Sequence, residues 1–429
     1  MSKKIEIKIN TLSNIQFIKS FLERKGGRIV FSSFFTKLIS FIISVYIIRV
    51  IPKEEYGFLV YAITIIAFIA PFKGFGIYQG FLRYGSISTS QQLKKYYFNR
   101  ILFKGLLFSS ILIVILIAFS PFIISNIKNS FLYLVILSFQ LVTLLIIDTI
   151  SIYARIIGLN KLYADISNNN NLLLLAFAIP LTYLFGSWGY VSALILSPLI
   201  YGIYLIYKLK LFSYNKELKP QHSTKEFLSY GFYMSLGGML SQLLFAVDVI
   251  LIGNMVKNAE QIAQYKTSNI IPFSLLVLPV AIINTDFVQL AQKAINNKKE
   301  VWNYYLNYLK IMGVISFGVL LLFYFFSNDM LRIFGKEYQN DNNLMFIFSI
   351  GVVGALLFRN PLGNILSVIG WPKVNAFFSF IILIINVIAG VYFINLYGVM
   401  GAAYTTVALM WLAGIFSLLA LIYFVFKSK

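Results

Sequence analysis

Residues 26–51 read GGRIVFSSFFTKLISFIISVYIIRVI. From Ile29 onward the run is apolar over the roughly 20 residues that a helix needs to cross a hydrocarbon core of about 30 Å. One basic residue, Lys37, interrupts it. It follows Ile29 by eight residues, which at ~1.5 Å per residue puts it ~12 Å into the core. Ser33, Lys37, Ser40 and Ser44 recur at spacings of four, three and four, so they share one helical face. A charge at that depth costs roughly 2.5–3.5 kcal/mol on insertion scales. The stripe is therefore expected to meet water, protein or ligand rather than lipid.

The composition extends this reading to the whole chain. Of 429 residues, 59% are hydrophobic and only 12% charged, against about 25% charged in soluble proteins. This is a polytopic membrane protein with no soluble domain, because no polar stretch is long enough to bury its own core. There are no cysteines, which excludes disulfides, thiol catalysis and thiolate metal sites. The net charge is +21. Its spread among short loops speaks against nucleic acid as a partner; it fits the positive-inside bias of many short loops, and the sharper reading adds anionic membrane lipids and an anionic substrate. The first 28 residues hold seven Lys or Arg and are expected to form a cytoplasmic tail before an uncleaved first membrane helix.

Twelve apolar segments are expected to span, at 29–50, 58–80, 100–120, 131–153, 166–186, 188–207, 227–253, 261–284, 303–326, 343–366, 373–394 and 398–426. With both termini in the cytoplasm, 24 Lys or Arg fall on that side and six on the other, which predicts an N-in, C-in orientation. The charged connection 208–226 after the sixth span divides the chain. This gives a tail at 1–28, an N-lobe at 29–207, an inter-lobe linker at 208–226 and a C-lobe at 227–429. The halves align at an offset of 212 residues. Ile157, Gly158, Lys161, Ala164 and Ser167 fall on Ile369, Gly370, Lys373, Ala376 and Ser379. Leu184, Gly186 and Gly189 fall on Leu396, Gly398 and Gly401, and Gly202 and Ile203 on Gly414 and Ile415. Six spans per half keep the direction of equivalent helices, so the fold class is all-α, with two parallel-repeat six-helix lobes. Breakers stand inside several spans: Pro71, Gly74 and Gly76, then Pro180, Pro198, Pro272, Pro279 and Pro361.

No Gly-Lys-Ser/Thr, H-E-x-x-H or G-x-S-x-G pattern occurs, and the one histidine, His222, lies in the linker. These absences predict a protein that is not an enzyme and holds no metal or cofactor. What stands out is the ionisable set inside spans. Lys37 is the deepest. Lys73 and Arg359 each sit beside a helix breaker, where cavity lining and interfacial snorkelling are both open readings. Lys104 and Lys310 lie near span ends, where snorkelling is the simpler reading. Lys266 lies in span eight. The acids are Asp148 in span four and Asp248 in span seven, candidates for proton or sodium coupling, with an ordinary helix-end carboxylate as the plain alternative. Cations outnumber acids, which suits an anion such as a phosphate and does not suit an organic cation.

Four stretches carry a family resemblance. They are Ile51-Pro52-Lys53-Glu54-Glu55-Tyr56-Gly57, Asp248-Val249-Ile250-Leu251-Ile252-Gly253, Leu331-Arg332-Ile333-Phe334-Gly335-Lys336-Glu337-Tyr338 and Tyr397-Gly398-Val399-Met400-Gly401-Ala402-Ala403. In that order the chain resembles the polysaccharide-transport branch of the multidrug/oligosaccharidyl-lipid/polysaccharide exporter superfamily, most closely the O-antigen flippases (Wzx type). It departs at Ala263, where a glycine is usual. The resemblance implies a V-shaped pair of lobes open alternately to each side. It also implies export of an oligosaccharide on a polyprenyl diphosphate, in the bacterial inner membrane, beside polysaccharide polymerase machinery. Lys37, Lys73, Arg359 and Lys266 would then hold the diphosphate, with Ser33, Ser40 and Ser44 toward sugar or water. Two rival readings stay open: a cation-coupled multidrug antiporter of the same superfamily, and a membrane polysaccharide polymerase or ligase.

Overall fold

The computed structural model describes residues 26–88, 90–124, 126–212, 222–279, 290 and 298–427. Residues 1–25 of the expected tail 1–28, most of the linker, the end of the eighth span and Lys293 lie outside them. Among the described residues the chain is helical with no strand. Its helices are α1 (Gly26–Val50), α2 (Lys53–Ile69), α3 (Ile77–Ile87), α4 (Gln91–Ile123), α5 (Ser130–Ser138), α6 (Gln140–Ile156) and α7 (Asn160–Lys208). They continue as α8 (Thr224–Met255), α9 (Ala259–Ser274), α10 (Lys298–Arg332), α11 (Asn342–Gly354), α12 (Asn360–Val368), α13 (Pro372–Tyr397) and α14 (Val399–Phe426).

Eight helical stretches among the described residues are long and apolar enough to cross a membrane, and Ala246–Met255 is a shorter apolar one. The protein is therefore a multi-pass membrane protein. Expectation and structure differ in segmentation. Spans five and six form one 49-residue element, α7, divided at Gly186, whose φ of 58° and ψ of −138° are non-helical. Span two, expected to be continuous, is α2 followed by a 3-10 segment at Ala70–Gly76 and then α3. Span three starts at Gln91 rather than 100, so Lys94 and Lys95 lie on a helix and not in a loop. Ser90 begins it, its extended backbone (φ −79°, ψ 126°) letting the hydroxyl accept from Leu93 N. Span ten contains a π-helical segment, Ala355–Arg359.

The chain forms two compact units, Ile39–Lys266 and Thr267–Lys429 with the residues up to Leu38. The core of the first gathers Phe81, Tyr97, Phe98, Ile150, Tyr153 and Phe227 from α3, α4, α6 and α8. The core of the second gathers Tyr305, Tyr308, Val352, Leu356, Leu362 and Leu421 from α10, α11, α12, α14 and the π segment. In both units the outward surface is apolar: Phe122 in the first is 79% exposed and Val314 in the second is 75% exposed. Hydrocarbon can solvate such side chains and water cannot.

The repeat seen in sequence is also a repeat of local geometry. Gly398 has φ 59° and ψ −136°, within two degrees of Gly186 at both angles. These values are closed to residues with a Cβ. A Cβ on Gly189 would meet the carbonyl of Leu181, and one on Gly401 the carbonyl of Phe393, which is again the residue 212 positions on. Gly202 packs on Ile146, and Gly414 on Phe358, at the same offset.

Candidate functional site

The site is built on the sequence Ala70-Pro71-Phe72-Lys73-Gly74-Phe75-Gly76. Pro71 has no N–H to give to the preceding turn and opens the 3-10 segment. Lys73 is extended (ψ 137°), and Gly74, Phe75 and Gly76 all take positive φ, at 60°, 49° and 77°. Glycine adopts this at little cost, whereas Phe75 is strained. Aromatic packing holds Phe75 there, with its ring 6.0 Å from Phe72 and 5.6 Å from Phe108. The freed peptide groups find partners: Gly74 N donates to the buried Ser109 Oγ at 2.9 Å, and Tyr78 OH donates to Pro71 O at 3.2 Å. Backbone that leaves the helix at membrane depth survives only where protein satisfies it in this way.

Lys73 turns back into the break. It is 4% exposed. Its ammonium lies 2.7 Å from Asp148 Oδ2 and donates at 3.2 Å to Ala70 O and at 3.2 Å to Tyr78 OH. Three donors thus meet three acceptors. One of them, Ala70 O, closes the α2 half-helix, where a cation is favoured by the helix dipole. The tyrosine ring lies beside the charge, 4.4 Å from its centroid to Nζ. Asp148, on α6, is different: its side chain is 42% exposed. The pair has a buried cation and an accessible anion.

Helix α8 seals the break from one side. A Cβ on Gly76 would strike Gly231 O and Ser235 Oγ, and one on Gly231 would strike Gly76 O. Farther along, Gly80 lies against the backbone of Phe227. Two glycines of the family-like motifs act at the other end of the unit. A Cβ on Gly57 would fall on the carbonyl of Ala259, and one on Gly253 on the ring of Tyr61.

The remaining expected residues separate into groups. Asp248 is 4% exposed and accepts from Tyr265 OH at 2.8 Å through Oδ2. Lys266, half-buried one residue on, lies within electrostatic reach of Asp248. Lys37 is exposed on α1, as is Ser40, and Ser44 Oγ donates back to Ser40 O at 2.9 Å. The side chain of Ser33 lies outside the described residues. Arg359 is half-buried at the last position of the π segment, before Asn360 and Pro361. At the repeat offset Asp148 corresponds to Asn360, so the second half has an amide where the first has its carboxylate.

Freed groups at that second break also find partners. Asn360 N–H reaches back to Ala355 O, and Pro361 has none to give. The carbonyls of Leu356 and Leu357 thereby lose their helical donors. Tyr308 OH donates to Leu356 O at 2.8 Å and Tyr305 OH to Leu357 O at 3.1 Å. Neither tyrosine is singled out by sequence reading, nor is Tyr78 or Tyr265. Tyr78, five residues past Lys73, carries a signal in the sequence: an amphipathic hydroxyl next to a breaker and a cation. Sequence reading also misses a network at the start of α2. Tyr133 OH and Ser187 Oγ donate to Glu55 Oε1 at 2.8 and 2.5 Å, with Tyr133 stacked on Trp188.

Among the described residues the chain is a multi-pass helical bundle with broken helices, one of which carries a charged pair at its break. The fold is shared with solved structures of MOP superfamily members. A multidrug resistance MATE family transporter of that superfamily in an inward-facing conformation superposes with a TM-score of 0.76, at 13% identity, covering 92% of this chain and 96% of that one. Lipid II flippase MurJ, inward closed, gives 0.69 at 15% identity, with 92% and 86% covered. A MOP superfamily transporter from Pyrococcus furiosus gives 0.61 at 13% identity, with 95% and 97% covered. No curated protein matches the sequence. The polysaccharide biosynthesis protein family model matches residues 22–285, and the chain belongs to that family.

Proposed function

We propose that this protein is a flippase carrying a lipid-linked oligosaccharide, on a polyprenyl diphosphate such as that of O-antigen units, from the cytoplasmic to the external leaflet of a bacterial inner membrane by alternating access. The proposal includes the N-in, C-in orientation, twelve spans and the lobes 29–207 and 227–429. The observation that carries it is the Lys73–Asp148 pair on a broken membrane helix, in a chain of a polysaccharide biosynthesis family. A diphosphate cannot cross a low-dielectric region without compensating cations. Lys73 is such a cation, held in reserve by a carboxylate that is itself accessible. Substrate phosphate and Asp148 compete for the same ammonium. Asp148 is thereby also a proposed site for proton or sodium coupling, beside Asp248. Lys37, Arg359 and Lys266 are the further proposed contacts, with the serines 33, 40 and 44 along the path. The protein performs no catalysis on its cargo, and polymerase machinery would act after export.

The test is complementation in a strain lacking the gene. Lys73→Ala and Asp148→Asn, at wild-type membrane levels, are expected to reduce surface polysaccharide at least tenfold and to leave lipid-linked units on the cytoplasmic leaflet. Wild-type export by both variants overturns the site. Accumulation of unpolymerised units on the external leaflet of the deletion strain would instead indicate a polymerase. A second reading, cation-coupled drug export, is favoured by one observation, the buried Asp248 under the Tyr265 hydroxyl. It predicts drug resistance on expression that is lost in Asp248→Asn, with polysaccharide export unaffected.

A further inference from the structure

The basic residues at the start of α4 are not equivalent. Lys94 Nζ donates at 3.2 Å to Ile156 O, at the end of α6, and Lys95 Nζ at 3.2 Å to Lys210 O, just beyond α7. Both sit at the C-terminal ends of helices, where a cation is favoured. Arg100 and Lys104 lie a turn further on, one turn apart from each other, where like charges repel. Lys104 Nζ donates to Thr224 Oγ1 at 2.8 Å. Among the described residues no carboxylate pairs with either cation.

The two cations line a groove of about 600 Å³ together with Phe103, Leu106 and Phe212. The groove is a built feature. Asn99, buried beside it, donates from Nδ2 to Leu211 O at 2.7 Å and so fixes the wall that carries Phe212. Phe103 is 71% and Phe212 63% exposed. The exposed apolar face continues from Phe103 along α4 through Leu107, Ile111, Val114 and Phe122. Gly105 and Ser109, on the opposite face of the same helix, pack toward the break at Gly74. The groove therefore opens on the lipid-facing side and not on the Lys73 site.

We infer that this groove binds one anionic glycerophospholipid, with its phosphate between Arg100 and Lys104 and its chains along Phe103 and the apolar face below. Charge complementarity and the continuous apolar face together select this occupant. A zwitterionic headgroup brings its own cation beside the phosphate and gains less. Through Lys104 and Thr224 the bound headgroup touches the first residue of α8, the helix that seals the break at Gly76 and Gly231. Lipid composition thus reaches the helix against which the Lys73 site is packed.

The test is native mass spectrometry of the purified full chain from vesicles of equal phosphatidylglycerol and phosphatidylcholine. At about fivefold per cation, retention should favour phosphatidylglycerol by about twenty-fivefold in the wild type, about fivefold in Arg100→Gln and not at all in Arg100→Gln/Lys104→Gln. Arg100 has no described hydrogen-bond or ion-pair partner, so its variant is expected to keep the wild-type thermal midpoint, which separates lipid loss from misfolding. Equal retention of the two lipids by the wild type overturns the inference, as does an unchanged preference in the double variant. A polyprenyl phosphate added at equal amount should leave the retained phosphatidylglycerol in place. Its displacing that lipid overturns the assignment to a phospholipid. The measurement uses no exported substrate, so its outcome is independent of the flippase reading.

Discussion

At the scale of single residues, the informative feature is a charge with a complete set of partners. Removing one member of a fully buried ion pair costs roughly 3–5 kcal/mol, because the other is left uncompensated. Asp148 is 42% exposed, and solvent screening lowers its share to about 2 kcal/mol. Asp148→Asn is therefore expected to lower the thermal midpoint in detergent, whereas Lys73→Met/Asp148→Leu should recover most of the loss while export stays abolished. Thermal unfolding followed by tryptophan fluorescence checks the first part, and the polysaccharide assay the second. A different residue governs the acid response of α8. The Glu226 carboxyl is held below the ordinary carboxylate range by the backbone N–H of Ser223, then by the Ser223 hydroxyl and by His222. A depressed carboxyl contributes its stability above its unfolded pKa and loses it as pH falls through the folded value. Hydrogen exchange at the start of α8 should thus accelerate on the acid side of the normal carboxylate range, and Glu226→Gln should remove that dependence.

At the scale of elements, both breaks follow one rule: peptide groups freed next to a proline are satisfied by side chains of neighbouring elements. In the second unit the neighbour is α10. Tyr305→Phe is expected to cost roughly 1 kcal/mol, since it strands the half-buried carbonyl of Leu357. In a Pro361→Ala background the backbone can donate again, and the same substitution should cost little. A double-mutant cycle on unfolding free energy measures this coupling, which is expected to exceed about 0.5 kcal/mol. In the first unit the contact of α8 with the break depends on the missing Cβ of Gly231. Gly231→Ala drives a methyl onto Gly76 O and should cost about 1–3 kcal/mol through overpacking. Unchanged stability and export in that variant would show that α8 does not need the close approach.

At the scale of the whole molecule, the repeat and the charge bias make the topology testable. The chain has no cysteine, so a single introduced thiol reports on one site. Lys257 and Lys225 are both exposed. With both termini inside, Lys257→Cys should react with an impermeant maleimide in intact cells and Lys225→Cys only after permeabilisation. The repeat itself was legible in Gly186 and Gly398 and in Gly189 and Gly401, because a torsion closed to other residues and a helix contact with no room for a Cβ leave glycine no substitute. The helix ends were less legible. Lys94 and Lys95 looked like loop charges, and their use as caps on α6 and α7 depends on residues more than fifty positions away.

The sequence by itself determined that this is an all-α membrane protein with an internal repeat, with breaks at Pro71–Gly76 and Pro361 and cations beside them. Hydropathy, period and backbone restriction are local properties, and local properties are written in the chain. It also carried the motifs of the family to which the chain belongs. Only the tertiary structure decided what each charge meets. Lys73 and Asp148 are 75 residues apart in sequence yet 2.7 Å apart in space, while Lys37, the deepest cation by sequence, is exposed on α1. Electrostatic partnership depends on distances between helices, and those are set by packing, here by glycines that let α8 meet the break backbone to backbone.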